Sequence, residues 1–219
     1  MPSLAIQSFQ ANRKDADALV TMYAQLSMLS VAIPDLTPLN KAVVVFVCAA
    51  WESYCEDLVD EAVRHIVADC PDHTKLPKGL RLLIAKQAKD DLNPLSPWDL
   101  AADGWKTLIA NNASTYIKSW TGKWHTPKPV PVDELFLKCL GVTDISNRWT
   151  WPGCTSYDAR RKLDEFVVLR GDIAHRLTAD PALLKQQGLD FASHVDQLAS
   201  ITDREIGKHL MTITGKTYW

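Results

Sequence analysis

Between Leu39 and Ala68 an apolar line runs through Val44, Val47, Trp51, Tyr54, Leu58, Ala62 and Ile66, in steps that fit one face of an α-helix. Glu52, Glu56, Asp60 and Arg64 fall at helical spacing on a different face, so this long helix presents one side to a core and another to charge. Taken alone, Val43 to Val47 would suit a buried strand, but its continuation into the helical period argues otherwise. The stretch from Ala42 to Trp51 is entirely apolar yet only half a bilayer in length, which reads as a buried helix and not a membrane span.

The rest of the chain is read around this helix. A first helix is expected from Ser3 to Ser30, ended by a turn that Pro34 and Pro38 bracket. Pro77 opens a shorter helix through Leu80, Leu83 and Ile84, and Ser96-Pro97 caps another that carries Leu100, Trp105, Leu108 and Ile109. The segment from Asn111 to Pro131, with Trp120, Trp124 and closely spaced prolines, reads as a long loop. A short helix from Val132 to Leu140 stops at Gly141, and a Trp-rich connector holds Trp149 and Trp151. Thr155-Ser156-Tyr157-Asp158 caps a further helix, and after Asp180-Pro181 a last one runs from Leu184 or Leu189 through Leu210. Strand signals are sparse and no repeat or boundary is evident. The expectation is one all-α domain over residues 1–219, a bundle with a large inserted middle segment.

A chain of 219 residues with 47% apolar content can supply a substantial core. Its formal charge of -2 gives no global attraction to nucleic acid, so any RNA contact must rest on a local patch. The five cysteines form no C-x-x-C pair, which suggests neither a disulfide framework nor a zinc site and fits a reducing cytoplasm. The start lacks the pattern of a signal peptide, and a cytoplasmic location is expected.

The helix after Thr155 carries the chemistry. Leu163, Phe166, Val167, Ala174 and Leu177 mark an apolar stripe, and Arg170 stands where another hydrophobe belongs. A guanidinium keeps its charge, so burying it costs several kcal/mol, on the order of the penalty for an unpaired ion, unless an anion or a partner chain meets it. His175 follows after four residues. Such an Arg/His pair resembles the R-x4-6-H motif of the HEPN superfamily. Ala50-Trp51-Glu52-Ser53-Tyr54-Cys55-Glu56-Asp57-Leu58 and Val132-Asp133-Glu134-Leu135-Phe136, with Leu140-Gly141 behind it, extend the likeness from about Leu39 to Leu177, toward the RiboL-PSP branch.

That resemblance implies an all-α HEPN-like bundle and a metal-independent endoribonuclease that works as a homodimer, in a superfamily rich in toxins and anti-phage effectors. It implies RNA as substrate, no cofactor, and room for a neutralising protein partner. Arg170, His175 and Asp172 are the catalytic candidates: histidine titrates near neutral pH, and arginine offers a planar fork for phosphate. The family commonly has Asn, Asp or His directly after the arginine, whereas Gly171 stands here and Asp172 follows. This departure favours the alternative, a non-catalytic module that binds nucleotide, RNA or a protein.

Arg170 can instead bond Glu52 or Glu56, His175 can cap carbonyls near a helix end, and Asp172 can pair with Arg176 four residues on. Arg176, Lys123, Trp124 and Lys128 are the RNA-binding candidates, the last three within a run of Lys118, Trp120, Lys123, Trp124, His125 and Lys128 that alternates bases with aromatics. The competing account has Trp120 and Trp124 pinning a loop to the core. Arg148, Trp149 and Trp151 raise the same question, and Arg160 and Arg161 either extend the cationic surface or lie on an ordinary exposed face. His65, His73, His194 and His209 show no metal-binding spacing, and Cys48 and Cys55 read as buried, inert thiols.

Overall fold

A computed structural model describes residues 2–28, 35–122, 126–176 and 181–219, without the side chains of residues 176 and 181–185. The helices are α1 (Leu4–Ser27), α2 (Thr37–Asp69), α3 (Lys78–Asp90), α4 (Gly104–Thr121), α5 (Pro129–Leu140), α6 (Ser156–Arg176) and α7 (Pro181–Thr214). Short 3-10 turns lie at His73–Lys75, Ser96–Leu100 and Ile145–Arg148. No strand occurs among the described residues, and the fold is all-α as expected. No described helix is long and apolar enough to cross a membrane.

The central helix is α2, against which α1, α4, α5, α6 and α7 all pack. The line read from the sequence is its buried side, and Trp51, Tyr54 and Leu58 are fully enclosed there. Burying so much aromatic surface also buries polar tips, and each finds a partner. Trp51 Nε1 donates to the Pro127 carbonyl at 3.1 Å and Tyr54 Oη to the Ala199 carbonyl at 2.9 Å. Trp149, stacked edge-on to Trp51 with centroids 5.8 Å apart, donates from Nε1 to Thr202 Oγ1 at 2.9 Å. Trp149 is thus a core residue, and it does not serve as an exposed RNA contact.

The N-terminus of α1 is pinned from two sides. Ser3 caps it by accepting from the Ile6 amide and donates its own hydroxyl to Asp203 on α7. The Glu61 carboxylate of α2 accepts the Leu4 and Ala5 amides at 3.0 and 2.8 Å, the placement that the positive end of a helix favours.

The middle of the chain corrects the sequence reading twice. Helix α4 does not end near Asn111 but runs to Thr121, because Trp105, Ile109, Ala113, Ile117 and Thr121 recur every four residues and bury one face. The prolines after it begin a helix: Pro129 and Pro131 occupy the first turn of α5, where no intrahelical N–H is needed. The expected loop over residues 111–131 is thus replaced by helix at both ends, and residues 123–125 lie outside the described residues. Conversely, Ser96-Pro97 opens only a 3-10 turn, separated from α4 by Ala102 at φ 51°. Gly104 is required at the restart, since a Cβ there would lie 1.7 Å from the Asp99 carbonyl oxygen.

Helix α5 ends as expected at Gly141, at φ 75°, with its N–H returned to the Leu137 carbonyl at 3.0 Å. Helix α6 begins at the expected cap, where Thr155 Oγ1 accepts from the Asp158 amide at 3.2 Å and donates to the Asp158 carboxylate at 2.6 Å.

Candidate functional site

Helix α6 stays against the core as far as Ile173 and leaves it over its last residues. Ala159, Leu163, Val167 and Ile173 are buried, and Phe166 stacks on Phe191 of α7 with centroids 4.5 Å apart. Arg170 lies on this inward face, half-buried. Ala174, expected in the apolar stripe, is exposed instead, and Ile173 takes the core position; Leu177 lies outside the described residues.

Around Arg170 the surface of α2 offers Cys48 and Glu52, one helical turn apart. Burial lifts the Glu52 carboxyl above its usual range, while the Arg170 charge draws it down and Glu56 adds to the lift. Burial likewise pushes the Cys48 thiol up to about 12, against the pull of Arg170, so this sulfur is inert at neutral pH. No described carboxylate closes an ion pair with Arg170 within 4.0 Å, and its buried Nε makes no hydrogen bond. The guanidinium is therefore held near negative charge without being consumed by it.

His175 is exposed and Asp172 half-buried, both on the last turns of α6. Five residues of helix turn through about 500°, which sets Arg170 and His175 roughly 140° apart around the axis. One copy of α6 thus does not bring the two side chains onto a common narrow face. Gly171 between them serves no packing need, because a Cβ built there would meet nothing within 4 Å.

The other candidates separate. Lys128 reaches Asp164 of α6 at 3.6 Å, tying the start of α5 to the helix that bears Arg170. Arg176 closes α6 in its backbone, but its side chain lies outside the described residues, as do Lys123 and Trp124. Arg161 pairs with Glu165 at 2.6 Å and Asp158 at 3.8 Å along its own helix, and Arg160 donates to Asn147 at 2.8 Å, the ordinary exposed-face account. Trp120 is half-buried on α4 with Lys138 Nζ 5.5 Å above its ring. His194 and His209 tie helices together through carbonyls of Ala159, at 3.0 Å, and Leu140, at 2.8 Å. The five cysteines are buried and unpaired.

Sequence reasoning found Arg170 from its place in an apolar stripe, and named Glu52 only as a possible bonding partner. The signal for Glu52 was present in the acidic line of α2, one turn from Glu56. Among the described residues no cluster of His, Cys, Asp and Glu could hold a metal ion. No curated protein and no solved structure matches the chain. The RiboL-PSP-HEPN family profile matches residues 11–208, nearly its full length, and the chain belongs to that family of all-α, RNA-related modules.

Proposed function

We propose that this protein is a metal-independent endoribonuclease that acts as a homodimer through Arg170 and His175. The observation that carries the reading is the Arg170 side chain, half-buried in a core stripe yet with its Nε unpartnered and no carboxylate closed upon it. A charge kept so costs stability, and a phosphate bound in the working enzyme is the natural anion to meet it. Because Arg170 and His175 diverge around α6, the reading pairs two α6 helices across a two-fold axis, which lines one cleft with both arginines and both histidines.

In this cleft a histidine removes the proton of the RNA 2'-hydroxyl. The 2'-oxygen attacks the adjacent phosphorus while arginine donors hold the non-bridging oxygens and their developing charge. The bond from phosphorus to the 5'-oxygen breaks, that oxygen takes a proton from a second imidazole, and the products are a 2',3'-cyclic phosphate and a free 5'-hydroxyl. Asp172 orients these groups, and Arg176, Lys128, Lys123 and Trp124 belong to the RNA path. The proposed setting is cytoplasmic, as a toxin or anti-phage effector held in check by a protein partner.

Gly171 favours a second reading, a HEPN module that binds nucleotide, RNA or protein without cutting. Cleavage of mixed-sequence single-stranded RNA in the presence of EDTA distinguishes the two. The parent is expected to cut, and Arg170→Ala and His175→Ala, matched for folding and oligomeric state, to lose about 10²- to 10⁴-fold in rate, the usual scale for a general acid or base. No cutting by the parent, or cutting that survives both substitutions, selects the binding module.

A further inference from the structure

We propose that the cleft between α3, α4 and α5 is a second, single-strand RNA-binding site that holds substrate beyond the cleavage centre. It is a cavity of about 740 Å³, inside the roughly 300–1,000 Å³ span of sites that hold small molecules. Lys78 and Lys86 of α3 and Lys138 of α5 line it, and no carboxylate does. In a chain of net charge -2, three lysines converging from two helices mark a place for an anion, while Asp90, Asp91 and Asp99 line the adjoining cavity that shares Lys86.

The walls suit a base. Tyr116 and Trp120 of α4 meet edge to face with centroids 6.3 Å apart, and Lys138 Nζ stands 5.5 Å over the indole. Leu82 and Leu137 leave 58% and 41% of their surface open at the rim, apolar area with no described neighbour to cover it. The floor is rigid: Tyr116 Oη donates to the Lys138 carbonyl at 3.3 Å, and Gly79 brings α3 so near α5 that a Cβ would lie 1.7 Å from that same oxygen.

The aromatic wall separates RNA from an acidic protein helix as occupant. A helix laid in the groove can offer carboxylates to the lysines but few planar faces to Tyr116 and Trp120. The edge of an unstacked base carries donors and acceptors together, its face stacks on aromatics, and its phosphate answers lysine.

Helix α5 links the cleft to α6. Lys138 of α5 lines the cleft, and Lys128, just before the start of that helix, reaches Asp164 of α6 at 3.6 Å. The inference rests on the nuclease reading for its choice of RNA, and its test does not depend on cleavage. A fluorescein-labelled, fully 2'-O-methylated 12-nucleotide RNA of mixed sequence cannot be cut through its 2'-oxygen and reports binding by anisotropy.

For the full-length protein, charge reversal at the exposed Lys86 and Lys138 (Lys86→Glu with Lys138→Glu) is expected to weaken this RNA at least tenfold. It should also flatten the dependence of log K on log salt by about 0.7 for each phosphate that a lysine no longer neutralises. Trp120→Leu, with folding verified by circular dichroism, is expected to weaken binding with little change in that slope. A 4-thiouridine RNA irradiated on the parent is expected to crosslink to Tyr116 or Trp120. Unchanged affinity on charge reversal, with crosslinks elsewhere, overturns the RNA assignment and leaves the cleft to a protein. If the parent cuts RNA and the reversal leaves binding intact, only this inference fails. If the parent neither binds nor cuts, the nuclease reading fails and takes the inference with it.

Discussion

The buried side of α2 and the inward face of α6 treat their buried polar atoms oppositely. Around α2, the indole of Trp51, the phenol of Tyr54 and the indole of Trp149 are enclosed, and each polar tip has an acceptor between 2.9 and 3.1 Å. On α6, Arg170 lies half-buried beside Glu52 with its Nε unpartnered and no closed carboxylate. The first arrangement is what folding alone selects, since an unsatisfied buried group costs about 1–3 kcal/mol, more when charged. The second is kept against that cost, which marks where stability has yielded to another demand.

The contrast can be broken most forcefully in the core. Trp149→Ala removes a fully buried indole and leaves Thr202 Oγ1 without its donor, and chemical denaturation is expected to show a loss of about 3–5 kcal/mol. A loss under about 1 kcal/mol would mean that the satisfied core is not what holds the fold.

Next in size is a pH effect from another satisfied group. Burial lowers His194 to about 4 from an ordinary 6.5, although the Ala159 carbonyl that accepts from it pulls upward. The unfolded chain therefore binds a proton between those values and the folded protein does not. The His194 contribution is complete above pH 6.5 and is lost as pH falls toward 4, by roughly 3 kcal/mol at about 1.4 kcal/mol per unit. His209, also lowered by burial, adds in the same direction. Unfolding midpoints measured from pH 7 to pH 4 should fall, and His194→Gln, which preserves a donor for Ala159, should flatten the fall.

The α6 side is sharpened by a change in the opposite sense. Arg170→Met combined with Glu52→Gln replaces an unclosed charge pair by an apolar stem and a neutral amide, and stability is expected to hold or rise by about 1 kcal/mol. If the double variant destabilises the protein as Trp149→Ala does, Arg170 is a strut and the contrast dissolves. The smallest effect is expected at Gly171, where Ala has open space and a better helix propensity: a gain of up to about 1 kcal/mol in the denaturation midpoint analysis. A loss there would show that α6 needs the glycine for close approach to something outside one chain.

What the sequence discloses depends on whether a signal is continuous along the chain. The buried line of α2 is made of large side chains at regular steps, and it reads directly. Gly141 and Thr155 announce their turns because each supplies a local necessity, a left-handed backbone or an oxygen for an amide. The second half of α4 hides because its inward positions include Ala113 and Thr121, too weakly apolar to stand out from Asn111, Ser114 and Lys118 on the outer side. Arg170 was legible as an anomaly in a stripe. Its lack of a closed partner was not, since that depends on where the Glu52 side chain ends after packing. The cleft of Lys78, Lys86 and Lys138 is illegible for a different reason: its members lie on helices some 60 positions apart, and only folding brings them to one cavity.

The double anchoring of α1 has a consequence for the order of events at the ribosome. Its first turn is held by Glu61 and by Ser3 donating to Asp203, so one clasp closes within the first third of the chain and the other spans 200 positions. At about 5–20 residues per second, roughly 7–30 s separate the synthesis of the two carboxylates. During that interval α1 and α2 can form a hairpin secured at one point, while the buried side of α2 waits for α7. A nascent chain of this protein thus exposes its most apolar surface until α7 is made, and that interval is when a chaperone has most to cover.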